Sequence, residues 1–143
     1  MEKVKAFGIC LYKKSKESVK VLLCKSVNSK DRWGFLKGVA LENEIPEETA
    51  IREFYEESSI KVNCQDLELL FMQKNEFKNI GIYLLNYDNL KDINKYFKEN
   101  KLYSQYLSSE NSDVEFFDIQ KLPQIKKKQK YLTQNIIKNL TTV

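Results

Sequence analysis

Glu53, Glu56 and Glu57 are the residues whose type and spacing first suggest chemistry. On a helix of roughly 3.6 residues per turn they share an arc of about 100°, with Thr49 on the same side. Ile51, Phe54 and Tyr55 fall on the opposite side, where they can dock on a sheet. Arg52 sits at the margin of the acidic face, within reach of Glu56 one turn on. Like charges so placed repel by roughly 0.2–0.5 kcal/mol per pair in an isolated helix. A divalent cation would relieve that repulsion, because Mg²⁺ takes hard oxygen ligands and is shared between carboxylates and substrate phosphates. Helical spacing alone equally allows an acidic face solvated by water and counterions.

The rest of the composition narrows the chemistry. None of the 143 residues is His, which excludes Ser-His-Asp hydrolysis, Cys-His proteolysis and a His-ligated zinc site. An enzyme built from this chain must therefore use carboxylates, Lys, Tyr or a bound metal. Residues 42–57 hold seven carboxylates against one Arg, so the net charge of +4 is a −6 stretch set on a body of about +10. An acidic site on a basic body suits a divalent metal bound beside a polyphosphate. The three cysteines, Cys10, Cys24 and Cys64, are odd in number and widely spaced, and are expected to be buried thiols in a reducing cytoplasm. No signal peptide or membrane span is visible, since the first apolar stretch, residues 6–12, is short and runs into Lys13 and Lys14.

A single domain over residues 1–143 is expected to position the acidic helix. Residues 4–12 and 19–25 read as strands joined by the polar turn 13–18, and residues 67–72, 79–86 and 114–119 as three more. Pro46 opens a helix where a missing N–H costs least, Glu47 and Glu48 complement its positive end, and the helix should run to about Ser58. Residues 88–99 carry apolar side chains at helical spacing and predict a short helix or structured insertion. Residues 126–140 predict an amphipathic helix with Tyr131, Leu132, Ile136, Ile137 and Leu140 on one side, and the basic run 126–130 reads as a solvated helix face more than as a surface for a polyanion such as RNA. Hairpins mixed with helices point to an α+β fold with a mixed sheet.

Upstream residues change the weight of the acidic face. Gly38, Glu44, Arg52, Glu53, Glu56 and Glu57 stand in the order G-x5-E-x7-R-E-x2-E-E, with Phe54 and Ile60 at further apolar positions. At average residue usage such a set arises by chance at on the order of 10⁻⁷ to 10⁻⁸ per start position. The pattern resembles the box of the Nudix hydrolases. That resemblance implies an α/β/α sandwich with a mixed sheet between helices, and Mg²⁺-assisted attack of water on a diphosphate linkage, with Mn²⁺ as a substitute cation. It further implies Glu56 and Glu57 as principal metal ligands, Glu53 as ligand or base, and the Gly38 carbonyl near the metal. Arg52 would orient the carboxylates. Glu44 would brace the loop, or act on the side of the substrate or a second metal.

The likeness extends beyond the box. Trp33-Gly34-Phe35-Leu36-Lys37-Gly38 resembles the entry sequence of diadenosine tetraphosphate hydrolases and RNA 5′-pyrophosphohydrolases, with Leu36 in place of Pro. It implies substrate contacts for Lys37 and Trp33. Glu110, Asp113, Val114, Phe116 and Phe117, followed by Leu122-Pro123, resemble a family segment that donates another carboxylate, with Glu110 and Asp113 as its candidates. Ser59 and Asn43 occupy positions where the family carries Gly. The expected partner is a small nucleotide, best a dinucleoside polyphosphate, or an RNA 5′ end. A nucleoside triphosphate pyrophosphohydrolase and a non-catalytic nucleotide sensor are the alternatives. Trp33, Phe35, Phe77, Tyr103 and Tyr106 could stack on a base, although each is more often a packing residue. The sequence leaves the oligomeric state open.

Overall fold

The computed structural model describes residues 3–142. Strand β1 (Val4–Lys14) is the axis of a mixed sheet and is buried on both faces from Ala6 to Tyr12. An unbroken apolar run is what a strand covered on both sides requires. One edge of β1 pairs in parallel with β5 (Lys78–Asn86), from Val4↔Lys78 to Tyr12↔Asn86. Its other edge is divided. Strand β3 (Leu36–Val39) pairs with Ala6–Ile9, and β2 (Val19–Ser26) with Tyr12–Lys14. Beyond β2 lie β8 (Asn111–Asp118) and the short β7 (Lys101–Leu102) and β6 (Phe97–Lys98), while β4 (Leu67–Lys74) closes the far edge.

Helices cover the two faces. On one, α1 (Pro46–Ser58) buries Ala50 and Phe54 against Phe7, Ile9, Leu11 and Leu36. On the other, α2 (Lys130–Thr141) buries Leu132, Ile136 and Leu140 with Cys10, Leu23 and Ile82. This is the mixed-sheet α/β/α sandwich expected from the sequence. Among the described residues, no helix is long and apolar enough to cross a membrane.

Several local expectations are narrowed or corrected. Residues 88–99 form the second of the two expected forms, a structured insertion without an α-helix. Tyr87–Asn89 and Ile93–Tyr96 are single 3₁₀ turns leading into the β6–β7 hairpin. The Asn86 side chain accepts the Asp88 N–H at 2.9 Å and Asp92 turns left-handed, so short polar side chains compete with helix hydrogen bonding. The second helix starts at Lys130, because Lys126 donates its N–H to the Trp33 carbonyl at 3.0 Å and Lys127–Gln129 form a separate turn. Tyr131 is 63% exposed, about one residue step of roughly 100° off the buried stripe of Leu132 and Ile136. Cys10 and Cys24 are buried, but Cys64 is exposed on the polar turn Cys64–Asp66.

Helix α1 has the expected bounds. The Glu48 carboxylate accepts the Ile45 N–H at 3.0 Å at its start. At its end Ser59 takes φ 66°, and its N–H reaches the Tyr55 carbonyl at 2.7 Å. A side chain there costs roughly 1–2 kcal/mol, offset in part by the Ser59 hydroxyl bonding the Tyr106 carbonyl at 3.3 Å. Ser59→Gly should therefore raise the melting temperature by about 2–4 °C. A lower melting temperature by calorimetry would show that the hydroxyl contact outweighs the backbone strain.

Candidate active site

Two loops bring the acidic helix into register with the sheet. The chain leaves β3 at Val39 and returns to α1 through Asn43, whose left-handed φ of 68° Asn tolerates better than most residues. Glu44 ties this loop to the helix. Its Oε1 accepts the Leu41 N–H at 2.9 Å and the Thr49 hydroxyl at 2.8 Å. Arg52 donates to both Glu44 oxygens, from Nε at 2.7 Å and from Nη2 at 3.0 Å. The guanidinium holds the Glu44 carboxyl down at about 2, below the usual carboxylate range.

The remaining donors of Arg52 are also used. Nη1 binds Glu53 at 2.8 Å and Glu56 at 2.9 Å, and Nη2 binds the Val39 carbonyl at 3.0 Å. One planar group thus spaces three carboxylates and a backbone oxygen, which a lysine could not do. Gly38 faces the Glu53 carboxylate so closely that a Cβ there would run into it. Burial, despite the Arg52 contact, raises the Glu53 pKa above its ordinary value.

Glu57 lies deeper, at 8% exposure. Its Oε1 accepts the Asn111 side-chain amide at 3.1 Å and lies 3.7 Å from the Cys24 thiol. Its Oε2 is buried with no hydrogen-bond partner among the described residues. Burial pushes the Glu57 carboxyl up to about 7, opposed by the Asn111 bond. Lys37, on the neighbouring β3, is close enough for the two charges to act on one another. Burial, helped by Lys78 and Lys126, lowers the Lys37 pKa to about 8.

Lys37 also lines a cavity of about 730 Å³ with Lys30 and Arg32 of the loop after β2 and Lys78 of β5. Lys126, Lys127 and Lys128 complete its cationic wall; Lys127 and Lys128 are exposed, but they precede α2 and so do not belong to its face. Trp33 is only 9% exposed, packed edge-on against Phe117 with ring centroids 4.7 Å apart. Glu110 is exposed and near enough to Glu53 to raise its pKa. Asp113 pairs with Lys25 at 3.6 Å. Glu53, Glu56, Arg52 and Glu44 are thus brought together around one guanidinium, with Gly38 against Glu53 and Glu57 beside Lys37. Trp33 and Asp113 stand apart from that cluster.

Sequence reasoning missed Asn111 and Gln129. Asn111 sits at the register shift where β8 meets Ser26 of β2. Gln129 is buried and accepts the Phe35 N–H at 2.9 Å, in space that Gly34 leaves open by lacking a side chain. Neither carries a sequence signal, because each acts through a long-range contact.

The donor set fits a hard divalent cation that is completed from outside. Among the described residues, no three His, Cys, Asp or Glu groups converge as a closed metal cage. Mg²⁺ needs no such cage, since it is usually bound by one or two carboxylates, waters and substrate phosphates. The unpartnered Glu57 oxygen and the crowded Glu53 carboxylate are donors of that kind.

Comparison with known proteins agrees with this geometry. The model of the NUDIX domain matches residues 2–136. This chain belongs to the Nudix family. The family match and the fold together place it among the Nudix pyrophosphohydrolases. A C. elegans Ap4A hydrolase in a binary complex is 19% identical with a TM-score of 0.68, covering 98% of this chain and 99% of that one. The NUDIX domain of Shewanella oneidensis NrtR, complexed with ADP ribose, is 16% identical with a TM-score of 0.66, covering 99% and 90%. A MutT protein from Methanosarcina mazei Go1 is 15% identical with a TM-score of 0.60, covering 99% of both chains. At these identities the structures speak for the fold alone. The comparison with curated proteins finds no match.

The buried Glu57 has a consequence for stability. With a pKa near 7 in the fold against an ordinary 4.5, the native state holds a proton that the unfolded chain has released between those values. Stability of the metal-free protein should therefore fall as pH rises from about 4.5 through 7. Glu57→Gln should flatten that fall in melting temperature, measured in the presence of a chelator. An unchanged slope would show that Glu57 is ionised at low pH in the native state.

Proposed function

We propose that the protein is a Mg²⁺-dependent pyrophosphohydrolase acting on a nucleotide with an extended phosphate chain, best a dinucleoside polyphosphate. The observation that carries this reading is Glu57, a buried carboxylate with a free oxygen whose neighbour Lys37 lines a cationic cavity. The similarity of residues 33–38 to diadenosine tetraphosphate hydrolases supports the substrate choice, as does the fold likeness to the C. elegans Ap4A hydrolase.

Glu56, Glu57 and Glu53, with the Gly38 carbonyl, would hold the cation. When bound, Mg²⁺ supplies a water of lowered pKa and offsets phosphate charge. Glu53 has a carboxylate whose raised pKa suits acceptance of a proton from the attacking water. Arg52 fixes the spacing of Glu53 and Glu56, and Glu44 anchors Arg52 rather than meeting the substrate itself. Asn111 holds one Glu57 oxygen and leaves the other open. Lys37 supplies positive charge to the phosphate chain. Glu110 is the further carboxylate on the substrate side, while Asp113 acts through Lys25 and Trp33 backs the wall by packing.

The test is product analysis on a panel of dinucleoside polyphosphates, nucleoside triphosphates and 5′-triphosphorylated RNA, with and without Mg²⁺. Mg²⁺-dependent cleavage of dinucleoside polyphosphates is expected, with Glu56→Gln and Glu57→Gln each lowering it at least about 100-fold. Consumption of monomeric triphosphates alone would overturn the substrate choice. Unchanged turnover in the variants would remove those carboxylates from the mechanism.

A further inference from the structure

The three thiols of the chain stand in three environments, and one of them faces a carboxylate. Cys10 is buried among Leu23, Ile82 and Ile136, and Cys64 is exposed on its polar turn. Cys24, at 4% exposure, instead sets its Sγ 3.7 Å from Glu57 Oε1 and 3.8 Å from the Phe35 carbonyl. Apolar packing asks only for a small side chain at this position, and does not call for a thiol aimed at a carboxylate. A second observation is independent of the thiol. Glu57 is itself only 8% exposed, and its Oε2 has no hydrogen-bond partner among the described residues. A buried oxygen left so is costly unless something completes it.

The spacing of the pair fits one bridging ion. Zinc holds a thiolate sulfur at about 2.3 Å and a carboxylate oxygen at about 2.0–2.2 Å, in tetrahedral geometry. Those lengths put sulfur and oxygen about 3.5–3.7 Å apart, and here Sγ and Oε1 are separated by 3.7 Å. Hard Mg²⁺ takes oxygen ligands, whereas a thiolate selects cations of the zinc class. On binding, the thiol proton leaves to solvent, and one metal–sulfur and one metal–oxygen bond form in its place. The Phe35 carbonyl is a further oxygen beside the sulfur. Lys37 and Lys126 lie close enough to act on the same thiol, and among the described residues no three His, Cys, Asp or Glu groups converge. An ion held this way is exchangeable, unlike that of a closed structural zinc centre.

We propose that Cys24 and Glu57 form a site for a thiophilic divalent cation of the zinc class, which withdraws Glu57 from the hydrolytic cation and so switches the enzyme off. The switch rests on the hydrolase reading. The site itself does not, so the two are tested apart.

Cadmium reports the site, because a cadmium–thiolate bond gives an ultraviolet charge-transfer band that oxygen ligands alone do not give. The full chain carrying Cys64→Ser, which removes the exposed thiol, is stripped of metal with a chelator and titrated with Cd²⁺. A saturable band is expected, and it should be absent from Cys24→Ser/Cys64→Ser although Cys10 remains. Glu57→Gln/Cys64→Ser keeps both buried thiols and should bind Cd²⁺ at least about tenfold more weakly. No band in Cys64→Ser, a band that survives Cys24→Ser, or full affinity in the Glu57→Gln variant would each overturn the proposal. Should Cys24→Ser fail to fold by circular dichroism, the Glu57→Gln comparison decides. In turnover with Mg²⁺, half-inhibition of Cys24→Ser should need at least about tenfold more Zn²⁺ than wild type, each measured against its own activity without zinc. Equal sensitivity would overturn the switch. A wild-type protein that shows the band but cleaves nothing with Mg²⁺ would remove only the hydrolase reading.

Discussion

The contact between Arg52 and Glu44 is the constraint on which the rest of the site depends. It joins the loop after β3 to α1, and it does so with the same guanidinium that spaces Glu53 and Glu56. Three carboxylates on one turn would otherwise spread apart or attract stray counterions. Glu44 also takes the Leu41 N–H and the Thr49 hydroxyl, so both of its oxygens are committed. The loop, the helix and the charge pattern are therefore one unit, in which a change to any member moves the others.

The sheet supplies the second half of the arrangement. Because β1 shares one edge between β3 and β2, the chain can carry Lys37 and Gly38 past the face of α1 while β2 brings Cys24 beside Glu57. Gly38 is small so that Glu53 can lie against the strand. Asn111, at the irregular end of the β2–β8 pairing, reaches Glu57 from the other side. What results is an acidic group of low solvent access next to a cationic cavity, a gradient of charge along which a phosphate chain would lie.

Much of this is legible in the sequence where local signals act. Pro46 and the apolar positions of α1 mark its bounds, and Ser59 and Asn43 both take the left-handed conformations implied by their places in the motif. The strands of alternating or continuous apolar residues also appear as expected. What was not legible depends on long-range pairing. Strand β3 has four residues and exists because β1 offers it half an edge. The lysines at 126–128 look like the start of an amphipathic helix, but the Trp33 and Phe35 backbones draw that segment into the cavity wall. Tyr131, inside α2, is left on the surface because it falls to one side of the stripe formed by Leu132, Ile136 and Leu140.

The most direct test of this dependence is the steady-state kcat/KM of Arg52→Lys on the nucleotide that the wild-type protein cleaves best. Lysine keeps the charge but cannot make the bidentate bond to Glu44 and the bonds to Glu53, Glu56 and Val39 together. The expected result is a loss of about 100-fold or more with the fold retained by circular dichroism, as a displacement of catalytic groups by about an ångström would give. An efficiency within about threefold of wild type would contradict it, showing that positive charge alone, and not the guanidinium geometry, organises the site.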